Sequence, residues 1–170
     1  MNALIIYDSV FGNTEKVAQA IGVALGSRGR VETLPVSQVS TDQLRGLDLL
    51  IVGSPTRSFR PTPAISQLLK SLPKNHLAGV QVATFDTRLW LETIDSSAFR
   101  FIVDKGGYAA NMLANALKKK GGQLLTPPEG FLVTGETRAA QRRRTGARCG
   151  VGQAHVARDM KRVSPSSAGA

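Results

Sequence analysis

The strongest constraint on the fold is that apolar periodicity along the chain alternates between that of a strand and that of a helix. Apolar runs of strand length occupy 3–7, 48–53 and 80–85, and a shorter alternating run lies near 30–35. Helical patterns fall between them. Val17, Ala20, Ile21, Ala24 and Leu25 share one face of a helix expected over about 14–27, with Gly29 near its end. A second helix is expected at 41–46. Ile65, Leu68, Leu69 and Leu72 mark a third over about 62–71, with Pro61 and Pro63 near its start and Pro73 beyond its end. Ala109, Met112, Leu113, Ala116 and Leu117 mark a fourth. It runs into Lys118-Lys119-Lys120 and Gly121-Gly122, cations and glycines that suit a helix C-terminus. The last strand reads as split, 123–126 and 130–133, around Pro127-Pro128. The resulting β-α-β-α-β-α-β-α-β order predicts a parallel sheet with helices on both faces and right-handed crossovers. Ligands bind beyond the carboxyl ends of such strands, where the strand order reverses. Chemistry is therefore expected in loops 8–14, 54–61 and 86–93.

In the first loop, Ser9 and Thr14 carry hydroxyl donors, and Gly12 lets backbone N–H groups turn toward an anion. The helix that follows adds its positive dipole end. The G-x-x-x-x-G-K-[ST] spacing of a nucleotide P-loop is absent. Taken alone, the loop fits equally well a helix capped by Asn13 or Thr14 after a tight turn. The second segment, Gly53-Ser54-Pro55-Thr56-Arg57-Ser58-Phe59-Arg60-Pro61, follows an apolar strand at the same sheet edge. Its hydroxyls, arginines and aromatic suit a flat, polar-edged ring with a charged tail, or else a connection stiffened by proline. The third, Thr84-Phe85-Asp86-Thr87-Arg88-Leu89-Trp90, carries the only tryptophan.

Tyr7-Asp8-Ser9-Val10-Phe11-Gly12-Asn13-Thr14 resembles the FMN-phosphate loop of flavodoxins, [ST]-x-x-G-x-T after the first strand. Val52-Gly53-Ser54-Pro55-Thr56 resembles their second flavin loop. The resemblance spans about residues 1–135. It implies an α/β fold with a doubly wound, five-stranded parallel sheet of order 2-1-3-4-5, and bound FMN. Carried over, it implies that Ser9, Gly12, Asn13 and Thr14 hold the phosphate, with Val10 and Phe11 in the same cofactor-binding loop. Ser54, Pro55, Thr56, Arg57, Ser58 and Phe59 would flank one side of the isoalloxazine, and Asp86, Thr87, Arg88 and Trp90 the other. Arg57 stands where flavodoxins often have Trp, so either Phe59 or Trp90 is expected to stack or one ring face is open. Arg57, Arg60 and Arg88 would surround the ring with positive charge and raise its potential by stabilising a reduced anion. Pro-Thr-Arg followed by Phe also looks like flavodoxin-type NAD(P)H:quinone oxidoreductases. Three functions follow as expectations: an electron carrier serving redox partner proteins; an enzyme passing hydride from NAD(P)H through FMN to a quinone or related small acceptor; and a binding module without flavin.

Composition bears on what else the chain does. The net charge of +10 looks like a nucleic-acid footprint. Yet residues 138–170 hold eight Lys or Arg against one acid, +7, and 1–137 hold fourteen against eleven, +3. No nucleic-acid fold or aromatic interleaving accompanies the Arg142–Arg144 cluster, so no specific nucleic-acid partner is expected. No apolar run approaches the ~20 residues of a membrane span. The first apolar stretch lacks the basic flank and cleavage site of a secretory signal, and Cys149 stands alone among 170 residues. Both suggest the cytoplasm. His76, His155 and Cys149 show no metal-ligand spacing, so no metal is expected. The chain divides into a folded part, 1–136, and a basic tail, 137–170, that lacks an apolar period apart from Val156, Met160 and Val163 within 152–163. The tail reads as a replaced or out-of-frame terminus standing where a last helix should cover the sheet.

Overall fold

The computed structural model describes residues 1–58, 60–89 and 108–133. Six strands form one sheet: β1 (Asn2–Tyr7), β2 (Arg30–Pro35), β3 (Leu49–Pro55), β4 (Gln81–Leu89), β5 (Gln123–Leu124) and β6 (Glu129–Val133). Their order is β2-β1-β3-β4-β5, with β6 also paired to β4, and every pairing is parallel. β5 pairs Gln81 and Val82, whereas β6 pairs Phe85 to Leu89. They are two pieces of one edge strand, interrupted at Pro127-Pro128 as the sequence predicts, because proline has no N–H to give the ladder. Among the described residues three α-helices cover the sheet: α1 (Asn13–Leu25), α2 (Pro63–Ser71) and α3 (Ala109–Lys119).

The expected helix at 41–46 is instead a single 3₁₀ turn, Thr41–Leu44. Its one buried side chain is Leu44, so there is no apolar stripe to extend it, and Gly46 turns away with φ 65°. Reciprocal bonds between Ser40 and Gln43 close its start. The 152–163 helix candidate and the whole basic tail lie outside the described residues.

Strands buried on both faces explain the unbroken apolar runs. Leu4, Ile6, Leu50, Val52 and Val82 meet Ile65, Leu69, Leu113 and Leu117 of α2 and α3 on one face. Ala3, Ile5, Tyr7, Leu49, Ile51, Ala83 and Phe85 meet Ala18, Ile21 and Leu25 of α1 on the other. The register aligns Tyr7, Gly53 and Phe85 across the three central strands. The Phe85 ring lies where a Cβ on Gly53 would stand, and its far edge meets Phe131 edge-on at 5.9 Å. Glycine at 53 is thus required by close approach, not by backbone conformation. Replacing it drives a methyl into a buried ring, an overpacking that costs about 1–3 kcal/mol. Gly53→Ala is therefore expected to lower the urea midpoint, and adding Phe85→Leu to restore part of the loss.

Candidate functional site

The carboxyl ends of β1, β3 and β4 converge at one edge, where the strand order reverses between β1 and β3. Residues 8–12 join β1 to α1. Gly12 is the N-cap of α1 in the left-handed region, φ 84°, which few side chains tolerate. The cap position is Gly12 itself, which has no side chain to bond the first turn of the helix. Asn13 and Thr14 therefore do not cap it, and its positive end stays open to an anion. The Ser9 N–H donates to Asp8 Oδ1 at 2.9 Å, which fixes the loop. Ser9 Oγ is buried and has no hydrogen-bond partner among the described residues. A buried hydroxyl without a partner is costly unless a ligand satisfies it.

Thr14 is buried at the start of α1, and its hydroxyl lies 2.8 Å from that of Thr87 on β4. Each hydroxyl carries one proton and the pair uses one of them. The second has no acceptor among the described residues. The edge thus holds an open helix N-terminus and two buried hydroxyl protons without an acceptor among the described residues. That donor set fits a phosphate. Nearby, Tyr7 Oη lies 3.4 Å from Glu15 Oε1. Burial raises the Tyr7 phenol above its usual pKa of 10.0, and the Glu15 carboxylate raises it further. The phenol therefore stays protonated and can donate to Glu15, the one acid in the first turn of α1.

The segment after β3 divides into an inward and an outward part. Ser54 is fully buried; its hydroxyl donates to the Pro55 carbonyl and accepts the Thr62 N–H at 3.0 Å, tying the start of α2 to the strand. Thr56 Oγ1 accepts the Ala109 N–H at 3.2 Å at the start of α3. Beyond it, Arg57 and Arg60 exchange both backbone hydrogen bonds, at 3.0 and 2.9 Å, and Ser58 takes a left-handed φ of 47°. Arg57, Ser58 and Arg60 are all exposed.

At the end of β4 a fully buried carboxylate organises its surroundings. Arg88 grips Asp86 through two bonds, Nε–Oδ1 at 2.7 Å and Nη2–Oδ2 at 3.1 Å. Asp86 Oδ2 also accepts the Ala110 N–H at 3.1 Å. The guanidinium carbon lies 3.2 Å from the centre of the Tyr108 ring, and the guanidinium occupies the space that a Cβ on Gly130 would need. Together with Thr56 and with Thr84, whose hydroxyl donates to the Ala110 carbonyl, Asp86 staples the N-terminus of α3 to the sheet.

The sequence model of a flavodoxin domain matches residues 4–131. The chain belongs to the flavodoxin-domain family. Members of this family typically bind FMN and transfer electrons. An uncharacterized protein of Methanocaldococcus jannaschii is 28% identical over 118 residues, 61% of this chain and 30% of that protein. A flavodoxin of Picosynechococcus is 49% identical over 45 residues, 26% of each chain. The matches thus span less than a third of either of these relatives. A flavodoxin structure from the domain Archaea shares the fold with a TM-score of 0.62, at 21% identity, over 95% of this chain and 99% of that one.

Within this flavodoxin domain the described site residues fall into four groups. Ser9, Val10, Phe11, Gly12, Asn13 and Thr14 stand together at the sheet edge, joined there by Thr87. Arg57 and Ser58 stand on the exposed hairpin. Asp86 and Arg88 depart from expectation. They lie inside β4 rather than in a loop, and their charged groups are engaged with one another and with α3. The charge of Arg88 is compensated by Asp86, so it does not join Arg57 and Arg60 as free positive charge. Ser54 and Thr56 hold helix starts through their side chains, and Pro55 is half-buried at the strand end. Phe59 and Trp90 lie outside the described residues. Two residues the sequence did not mark are Tyr108, the ring over Arg88, and Thr62, whose buried hydroxyl lacks a partner. Among the described residues no group of three or more His, Cys, Asp or Glu could hold a metal ion, and no helix is long and apolar enough to cross a membrane.

Removing one partner of a buried ion pair strands the other. Asp86→Ala is expected to cost about 3 kcal/mol in urea denaturation. Arg88→Met in the same background removes the stranded charge and is expected to recover much of that loss.

Proposed function

We propose that this flavodoxin domain binds FMN with the phosphate at residues 9–14, and serves as an electron carrier for redox partner proteins. The buried, unpartnered Ser9 Oγ beside the uncapped N-terminus of α1 carries the reading. FMN supplies the redox chemistry when bound. The chain's own residues bind and orient it. Ser9 and the free proton of the Thr14–Thr87 pair would donate to phosphate oxygens, and Gly12 turns the backbone so that the first N–H groups of α1 face the same anion. The Tyr7 hydroxyl restrains the Glu15 carboxylate, the acid in the first turn of α1. The exposed hairpin 57–60 is the expected wall beside the ring. One cysteine in 170 residues supports a cytoplasmic setting.

Exposed Arg57 also supports a second reading, an oxidoreductase that takes hydride from NAD(P)H and passes it by way of FMN to a quinone-like acceptor. Adding NAD(P)H alone to the FMN-loaded protein separates the two: bleaching of the flavin absorbance within seconds supports the enzyme, and an unchanged spectrum the carrier.

Titrating the protein into free FMN and into riboflavin tests the phosphate assignment, since flavin fluorescence reports both. FMN is expected to bind far more tightly than riboflavin. Thr14→Val is expected to weaken FMN about tenfold, as a lost hydrogen bond to a charged group does. Riboflavin should be little affected. Equal affinities for the two flavins, or an unchanged FMN affinity in the variant, would sink the assignment.

A further inference from the structure

The outward part of the same sheet edge carries an arrangement that folding does not explain. Arg57 and Arg60 are directly opposed in a hydrogen-bonded antiparallel pair, so their side chains leave the same face of the hairpin. Like charges placed opposite one another destabilise a β-pair. Neither arginine forms an ion pair among the described residues, although both are exposed.

Among the described residues, the carboxylates of this edge are more covered than the arginines. Asp8 accepts the Ser9 N–H, Glu15 is tied to Tyr7, and Asp86 is buried beneath Arg88. Among these described groups Arg57 and Arg60 are exposed, Asp8 and Glu15 are half-buried, and Asp86 is fully buried. The neighbouring loop places Val10 and Phe11 in solvent, 45% and 51% exposed. The two segments are linked through the core of the edge: the Thr56 N–H donates to the Thr87 carbonyl, and the Thr87 hydroxyl meets that of Thr14. An exposed apolar tip and, on the linked segment, charge without an ion pair among the described residues have the make-up of a protein-docking surface: the apolar part excludes water, and the charged part steers encounter and selects the partner.

We propose that the Arg57–Arg60 pair and the Val10–Phe11 tip form the docking surface for a redox protein with a carboxylate-rich rim. The inference rests on reading this edge as the FMN site, because a partner must approach the edge where the electron leaves.

A binding measurement tests it without requiring flavin. The probes are native cytochrome c, which is basic, and succinylated cytochrome c, whose lysines have become carboxylates. Each is titrated calorimetrically, at an ionic strength of about 20 mM to limit screening, against the full chain, Arg57→Glu/Arg60→Glu and Lys118→Glu/Lys119→Glu. The last variant makes the same change in net charge at the C-terminal end of α3, the opposite edge of the sheet, where both lysines are exposed. The full chain is expected to bind the succinylated form at least about tenfold more tightly than the native one. The arginine variant should lose about tenfold of that affinity, and the lysine variant less than about twofold. Equal losses in the two variants would assign the effect to net charge and overturn the proposal. So would an arginine variant that binds like the full chain, or one that loses binding of inorganic pyrophosphate but not of the acidic protein. Because FMN uptake is measured separately, a chain that binds no FMN and still discriminates the two cytochromes overturns the flavin reading and not the surface.

Discussion

Most of the carboxyl edge depends on one buried carboxylate. Asp86 is fully excluded from solvent, and an ionised group in that position costs several kcal/mol unless it is paired and hydrogen-bonded. Both of its oxygens are matched: Oδ1 by Arg88 Nε, Oδ2 by Arg88 Nη2 and the Ala110 N–H. That arrangement joins three things at once. It fixes the end of β4, it holds the N-terminus of α3, and it draws Arg88 under the Tyr108 ring and across Gly130 of β6. With Asp86 and Arg88 on one face of β4, Thr87 projects from the other, where it meets Thr14. The polar tie between β4 and the first loop therefore inherits its position from the ion pair on the opposite face.

The same pairing decides the electrostatics. Read as a string, Arg57, Arg60 and Arg88 are three positive charges around one edge. In the fold Arg88 is compensated, and the two exposed arginines are left. The site is positive on its outer rim, while its inner donors are neutral: hydroxyls and the N–H groups of a helix start. A phosphate is held well by such donors because they are already oriented and their desolvation belongs to folding, not to binding.

Much of this was legible in the sequence, for physical reasons that differ by element. β1, β3 and the first part of β4 are largely buried on both faces, so their residues are mostly apolar and easily found. The split edge strand was visible in Pro127-Pro128, and the end of α3 in its lysines and glycines. The extension of β4 through Asp86-Thr87-Arg88 was hidden, because two charges in three residues suggest a loop. Only the i, i+2 spacing, which sets Asp and Arg side by side on one face of a strand, could have revealed it. The Thr14–Thr87 contact joins residues 73 apart and leaves no local trace. Phosphate-loop spacing was legible around Ser9, but whether a cap or an anion completes α1 was not. The structure answers half of that question: neither Asn13 nor Thr14 caps the helix, and the Ser9 hydroxyl is left without a partner.

An unsatisfied buried hydroxyl and a phosphate ligand make opposite demands on one atom, and the most direct measurement is of both in Ser9→Ala. Without flavin, the substitution removes a buried polar atom that has no partner. Urea unfolding of the apoprotein should then show stability unchanged or raised, by up to about 1 kcal/mol. The affinity for FMN should nevertheless fall about tenfold or more, as the hydroxyl's bond to a charged oxygen is lost. Opposite signs in the two measurements are what the account predicts. A variant that binds FMN as tightly as the parent would contradict it.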